Sequence, residues 1–394
     1  MNSHRLFCGH PSVRRLLLLL ALCWLVPLAS AQPMSLGINA MWLPGDADTL
    51  RTRFRQARSL GVREVRLDWE WRQVEAQRGQ YDWSKLDTLV QVAREEGVEL
   101  LPIVHYAPAW ALRSERKADE VYELAPAESA FGDYARFLRA SIERYGPQGN
   151  APLAFTPIVY WQVWNEPNIK QFWGPAPQAG DFVKLMRRVH EETAALRSQV
   201  KLVHAGLSKA DLIFFWQLWE ADRRYGETFD VMAVHPYLFD WWDGIRDPHA
   251  LDRDESEDEY AALGLLGSHD DPGYLPKVFN LQLLMTLRGF ADKPIWITEM
   301  GYFVADQRLG VSDSELSRRL LETLAFIRER LTTQPIGEGV RAQLPANVQR
   351  VYWFALEDYP SPDGLGSFGL YRADGSQRPA AKQFRTLAKQ VNAP

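Results

Sequence analysis

Two glutamates stand where a carboxylate could do chemistry. Glu166 ends the aromatic run of "WQVWNEPN" (161–168), and Glu299 ends the apolar run of "PIWITEMGY" (294–302). Each follows residues with strand character, and each has polar or aromatic neighbours in reach of the same place: Asn165 beside the first, Arg66, His105, His235, Tyr237 and Trp353 at the ends of other apolar runs. A pair of carboxyl groups facing one another across a cleft, with aromatic rings nearby, suits cleavage of a glycosidic bond. One protonates the leaving oxygen while the other meets the anomeric carbon. The histidines at 105, 190, 204 and 235 lack the spacing of a zinc site, so the expected chemistry needs no metal and no cofactor.

Something must hold those two carboxylates at one address. Eight apolar runs recur along the chain: MSLGINAMW (34–42), EVRLDWEW (64–71), ELLPIVHY (99–106), IVYWQVW (158–164), KLVHAG (201–206), FDVMAVHPY (229–237), PIWITEMGY (294–302) and VQRVYWFAL (348–356). Between them lie segments apolar at three- and four-residue spacing, such as DADTLRTRFRQARSLG and SKLDTLVQVAREEG, with Gly61 and Gly97 placed to end their helices. Eight alternations of strand and helix predict a single (β/α)8 TIM barrel. The open doubly wound alternative wants a glycine-rich phosphate turn after its first strand, and LGINAMWLPGD is not one.

In a barrel, functional side chains gather at the C-terminal ends of the strands. Strict alternation puts Gln162, Trp164 and Glu166 on one face, and Ile295, Ile297 and Glu299 on another. Ala233, His235 and Tyr237 form a third set, and Val351, Trp353 and Ala355 a fourth. Glu166 and Glu299 thus end the fourth and seventh runs, on opposite sides of one mouth. Blander roles compete for several neighbours. His105 and His235 could be satisfied core histidines, and Asp68 and Glu70 could balance charge around Arg66. Trp69, Trp71, Trp83 and Trp161 suit packing between strands and helices, and Glu75 and Asp82 suit structural roles. Trp173 is a candidate platform for a sugar ring.

W-N-E-P together with I-T-E-M-G resembles the clan A retaining glycoside hydrolases, and "WQVWNEPN" is similar in wording to family 39 glycosidases and related exopolysaccharide hydrolases. The likeness continues through "RLDWEWRQVEAQRGQYDW" (66–83), "HPY" (235–237) and "GLYRADGSQRPAAKQF" (369–384), over nearly the whole chain after its leader. The resemblance implies Glu166 as general acid/base and Glu299 as nucleophile. It implies Asn165 on the sugar 2-hydroxyl, Tyr237 steadying the nucleophile and Arg66 holding it ionised. Trp353 would floor the sugar subsite, and His105 and His235 would line it. The implied carboxyl separation is about 5–5.5 Å, the retaining value, with the charge of Glu299 raising the pKa of Glu166. Hydrolysis, transfer to another acceptor, and glycan binding on a catalytically dead barrel are all compatible with such a barrel; retention of both glutamates counts against the last.

The flanks and bulk composition set the context. Arg14 and Arg15 precede LLLLLALCWLVPLA, and Ala29-Ser30-Ala31 follows, the pattern of a cleaved secretory leader over residues 1–31. The catalytic domain is then expected over 32–394, exported to the periplasm or the medium. Cys8 and Cys23 leave with the leader, so the mature chain has no thiol and no disulfide. Loss of Arg5, Arg14 and Arg15 makes a formal net charge of −5 more negative still, which disfavours nucleic acid and anionic lipid as partners. The expected partner is a carbohydrate and the expected state a monomer without a membrane span. The long acidic stretch 240–274, with Trp241 and Trp242, is expected to be a solvated excursion, or a lid over substrate.

Overall fold

The computed structural model describes residues 34–40, 46–115, 117, 122–237, 275, 277–305, 310–331, 346–360 and 366–392. Residues 1–31, where a leader is expected, the 240–274 stretch with its two tryptophans, and 361–365 of the loop after the last strand lie outside the described residues.

Among the described residues nine parallel strands form one sheet. They are β1 (Ser35–Asn39), β2 (Glu64–Glu70), β3 (Glu99–His105), β4 (Tyr160–Val163), β5 (Lys201–Val203), β6 (Leu207–Ser208), β7 (Met232–His235), β8 (Ile295–Met300) and β9 (Val348–Trp353). β5 opens the fifth apolar run and β6 lies just beyond its end, with the strand broken between them at 204–206. The first piece pairs with β4 and bridges Val203 to Val231; the second pairs with β7. Those contacts join the ends of the sheet, and β1 pairs with both β2 and β9. The result is the expected (β/α)8 barrel.

Among the described residues eight helices of ten or more residues alternate with these strands: α1 (Ala47–Ser59), α2 (Ser84–Glu95), α3 (Phe131–Tyr145), α4 (Ala179–Glu192), α5 (Leu212–Ala221), α6 (Lys277–Leu287), α7 (Asp313–Phe326) and α8 (Pro379–Val391). Local chemistry starts several of them. Asp46, Asp211 and Ser312 cap α1, α5 and α7 by accepting from the backbone N–H three residues on, each worth about 1 kcal/mol. α6 was not legible in the sequence, because its apolar residues fall on all sides and leave no stripe; Leu283 and Leu287 even face solvent.

Two apolar layers divide the strand residues. Leu101, Val203, Val231, Ala233, Trp296 and Tyr352 fill the barrel interior with Tyr160 against them. Lower in the barrel the Arg350 guanidinium lies over the rings of Tyr160 (4.8 Å) and Trp296 (4.3 Å) and pairs with Glu64 at 2.7 Å. The outer layer holds the other face of each strand against the helices, and Trp69, Trp71, Trp83 and Trp161 pack there as expected. Among the described residues no helix is long and apolar enough to cross a membrane.

Candidate active site

Glu166 and Glu299 meet at the mouth of the barrel, but neither arrives by simple alternation. Along β8 the outward residues are Ile295 and Ile297, and Met300 is also in the outer layer. Ile297 pairs with Val351 and Met300 with Trp353, so Thr298 and Glu299 together oppose Tyr352. That is a β-bulge. Without its extra residue Glu299 would follow Ile297 outward, into the helices. On the other side of the mouth, Trp164 (φ 67°) and Glu166 (φ 41°) both take left-handed backbone conformations. Non-glycine residues adopt this region at a cost and concentrate there at functional sites. Trp164 consequently packs outward, against Trp173 and Tyr134, and does not share a face with Glu166. The Glu166 N–H donates to the carbonyls of Ala205 and Gly206, in the break between β5 and β6.

Arg66 gathers one side of the site. Its buried guanidinium donates to Glu299 Oε1 (2.6 Å), Asn39 Oδ1 (2.7 Å), Gln162 Oε1 (2.7 Å) and Asn165 Oδ1 (2.8 Å). The Tyr237 hydroxyl donates to the other Glu299 oxygen at 2.9 Å. With its oxygen taken by Arg66, Asn165 keeps its amide N–H groups for another acceptor.

His235 joins the two carboxyl groups. Its Nδ1 lies 2.7 Å from Glu166 Oε1 and 3.8 Å from Glu299 Oε1, and its Nε2 is 2.9 Å from Thr298 Oγ1. One side-chain oxygen or nitrogen from each of Glu166, His235 and Glu299 lies within 4.8 Å of the others. Among the described residues this is the one group with metal-ligand spacing. Both Glu299 oxygens already accept from Arg66 and Tyr237, and Glu166 Oε1 is bonded to the imidazole.

The same surroundings drive the two carboxyl groups apart in acidity. Burial is the chief cause raising the pKa of Glu166, with the charge of Glu299 adding to it against the lowering effect of His235. The sequence expectation had the Glu299 charge as the cause; desolvation is the larger one. Burial also acts to raise Glu299, but His235, Arg66 and the Tyr237 hydroxyl together hold its pKa below the ordinary value.

Several expected site residues are elsewhere. Trp353 is fully buried in the outer layer beside Tyr302, because β9 turns Arg350 and Tyr352 inward and Val351 and Trp353 outward. The aromatic that meets Tyr237 is its neighbour Phe354, edge-on at 6.1 Å, with Phe368 close by. Trp173 is likewise fully buried, boxed by Trp164, Phe131 and Phe182, and offers no face to a sugar. Asp68 and Glu70 do not pair with Arg66. Asp68 holds His105 Nε2 at 2.8 Å and Glu70 holds Arg72 at 2.8 Å. His105 is therefore at the mouth but tied to Asp68, one step from the carboxyl pair.

Asn39, Gln162, Thr298 and Phe354 belong to the site and carried no sequence signal of their own beyond position at or near a strand end. Gly206 was equally silent, although an added Cβ there would meet His235 Nε2 at 2.3 Å.

No family model matches the sequence, and no curated protein matches it. Solved structures do. A family 39 glycoside hydrolase from the gut symbiont Bacteroides cellulosilyticus WH2 is 18% identical with a TM-score of 0.61, over 92% of this chain and 65% of that one. A GH5_18 protein from Streptomyces cattleya, solved with GlcNAc, is 18% identical with a TM-score of 0.60, over 92% of this chain and 82% of its own. A monomeric beta-xylosidase from Caulobacter crescentus CB15 has the same identity and TM-score over 92% of this chain and 68% of that one. The chain thus spans about two thirds of the length of the first and third. At such identities the likeness is one of architecture: this chain has the (β/α)8 barrel fold on which these glycoside hydrolases are built.

Proposed function

We propose that the protein is a retaining glycoside hydrolase that cleaves β-linked sugars of an oligosaccharide or polysaccharide. One observation carries the proposal: two buried carboxyl groups with oxygens within 4.8 Å, one biased towards its acid form and the other towards its carboxylate. This spacing belongs with the retaining value of about 5–5.5 Å between carboxyl groups, since an inverting pair leaves room for a water between them.

The chemistry follows from the two protonation states. A Glu299 oxygen attacks the anomeric carbon and forms an ester. The bond from that carbon to the glycosidic oxygen breaks, and the Glu166 proton goes to the departing oxygen. Esterification removes the Glu299 charge, so Glu166 is better able to hold a negative charge and can now act as base. Water attacks the anomeric carbon, its proton passes to Glu166, and the ester bond breaks to return Glu299 as carboxylate. Tyr237 and Arg66 hold Glu299 for the first attack and receive its charge back in the last step. Asn165, fixed through its oxygen by Arg66, offers an N–H to a sugar hydroxyl.

The decisive test is an aryl β-glycoside panel with Glu299→Ala, without and with azide. A nucleophile role requires near-complete loss of activity and recovery with azide as an α-glycosyl azide; near wild-type turnover by the variant would sink it. Product analysis with added sugar acceptors separates hydrolysis from transfer. The same proposal includes export, supported by the charged and apolar N-terminal run and its A-x-A site. The N-terminal residue of the protein recovered from culture fractions checks it.

A further inference from the structure

The nucleophile proposed for Glu299 stands on an irregular strand, and irregular strands need something to hold them. A bulge removes backbone carbonyls from the ladder, and a buried carbonyl without a donor is costly. At this bulge the Thr298 carbonyl and two carbonyls of the facing β9 are met by a single side chain. Asn39, buried at the end of β1, directs its Nδ2 to the carbonyls of Thr298 (3.0 Å), Tyr352 (3.2 Å) and Trp353 (3.4 Å). The other end of the same amide, Oδ1, accepts from Arg66 at 2.7 Å, and that same Arg66 nitrogen donates to Glu299 Oε1.

We propose that Asn39 is the positioning residue for the Glu299 carboxylate, acting on it by two routes at once. Through Nδ2 it clamps the bulge that turns Glu299 into the mouth. Through Oδ1 it aims the guanidinium that grips the carboxylate once it is there. An amide is the side chain that can do both, because it offers a donor and an acceptor at opposite ends of one rigid plane. An aspartate keeps the acceptor but faces three carbonyls with a charge; a leucine of similar size has neither. The assignment rests on Glu299 as nucleophile for its functional meaning, whereas the geometry stands independently of any activity.

The groups facing Glu299 are Arg66 from β2, His235 from β7, Tyr237 just beyond it and Glu166 after β4. None of these side chains is itself replaced by substitution at Asn39, and Asn39→Ala brings in no new charge, so the Glu299 titration in that variant reports on positioning. The experiment labels the full chain with glutamate carrying carbon-13 at the side-chain carboxyl and follows Glu299 by NMR against pH, with Glu299→Gln giving the assignment. Asn39→Ala and the near-isosteric Asn39→Asp are compared with wild type below their Tm. Both variants are expected to move the Glu299 midpoint up by about one unit, as an opposite charge is loosened or shared. A midpoint unchanged in Asn39→Ala, which adds no charge beside Arg66, overturns the proposal whatever the Tm of that variant, since a merely structural role predicts lost stability alone. If the azide test fails while the midpoint still moves, the catalytic reading falls and the positioning role stands.

Discussion

Gly206 and His235 touch so closely that no side chain fits between them. A Cβ at 206 would lie 2.3 Å from Nε2 and under 3 Å from two ring carbons, and the residue sits at φ +72° besides. The break between β5 and β6 is therefore the seat of the imidazole that bonds Glu166. Gly206→Ala should push the ring off Glu166 and lower kcat/KM on a poor leaving group by roughly 10- to 100-fold. Because the effect passes through His235, it should vanish in a His235→Ala background. A double-mutant cycle reads this directly, and simple additivity would contradict it.

The opposed acidities predict a bell-shaped kcat/KM profile, its acid limb set by Glu299 and its alkaline limb by Glu166. Tyr237→Phe removes one donor to Glu299 and leaves Arg66 in place. The acid limb should move up by a few tenths to one unit, with the alkaline limb less affected. An acid limb that stays put would remove Tyr237 from the group holding the nucleophile.

Glu166 has a cost in stability that can be measured. Its folded-state pKa lies above the ordinary 4.5, so the unfolded chain gives up the proton first as pH rises. Stability present below 4.5 is lost as pH climbs from there through the folded value. Glu299 behaves oppositely: its folded pKa is lowered, and the stability it adds at neutral pH is lost as pH falls through that value. Glu166→Gln should therefore gain Tm over wild type as pH rises from 4 to 8 (roughly, the span in which the buried acid ionises). A Tm difference flat with pH would refute the raised pKa of Glu166. On the catalytic side, Glu166→Ala should spare aryl glycosides with activated leaving groups far more than natural ones; equal losses on both would remove the acid role.

Trp173 and Phe354 should separate cleanly. Trp173 is walled in by other rings, so Trp173→Phe should lower stability by about 1–3 kcal/mol and leave KM unchanged. Phe354 touches Tyr237, so Phe354→Ala should raise KM or lower kcat beyond what its Tm loss explains. Denaturant melts and steady-state kinetics on the same preparations decide.

Much of this architecture was legible. Apolar runs and their spacing carried the barrel, and strand-end addresses carried Glu166, Glu299, Arg66, His235 and Tyr237. The two misplaced faces have a common cause. Period-two reasoning assumes regular strands, and the strand carrying Glu299 shifts register against β9 at Ile295/Trp296 and again between Ile297 and Met300. It placed Glu299 beside Ile297 and Glu166 beside Trp164, and both glutamates reach the mouth only because the backbone departs from that period. Trp353 and Trp173 went astray because a tryptophan near a site looks the same in sequence whether it faces a ligand or a helix. Asn39 and Gln162 were missed because their meaning lies in one arginine that is distant in sequence.

That arginine also ties chemistry to assembly order. Its four acceptors come from β1, from β8 and from both the middle and the end of the fourth apolar run, at sequence separations of 27, 233, 96 and 99 residues. Contacts so remote form late, after long loops have closed. The site cannot pre-exist in a half-built chain, and any fragment lacking the last third would leave a buried cation short of its carboxylate. During refolding, regained activity should track the slowest step of closure and lag behind recovered helix content, which makes turnover a reporter of the moment the ring of strands becomes complete.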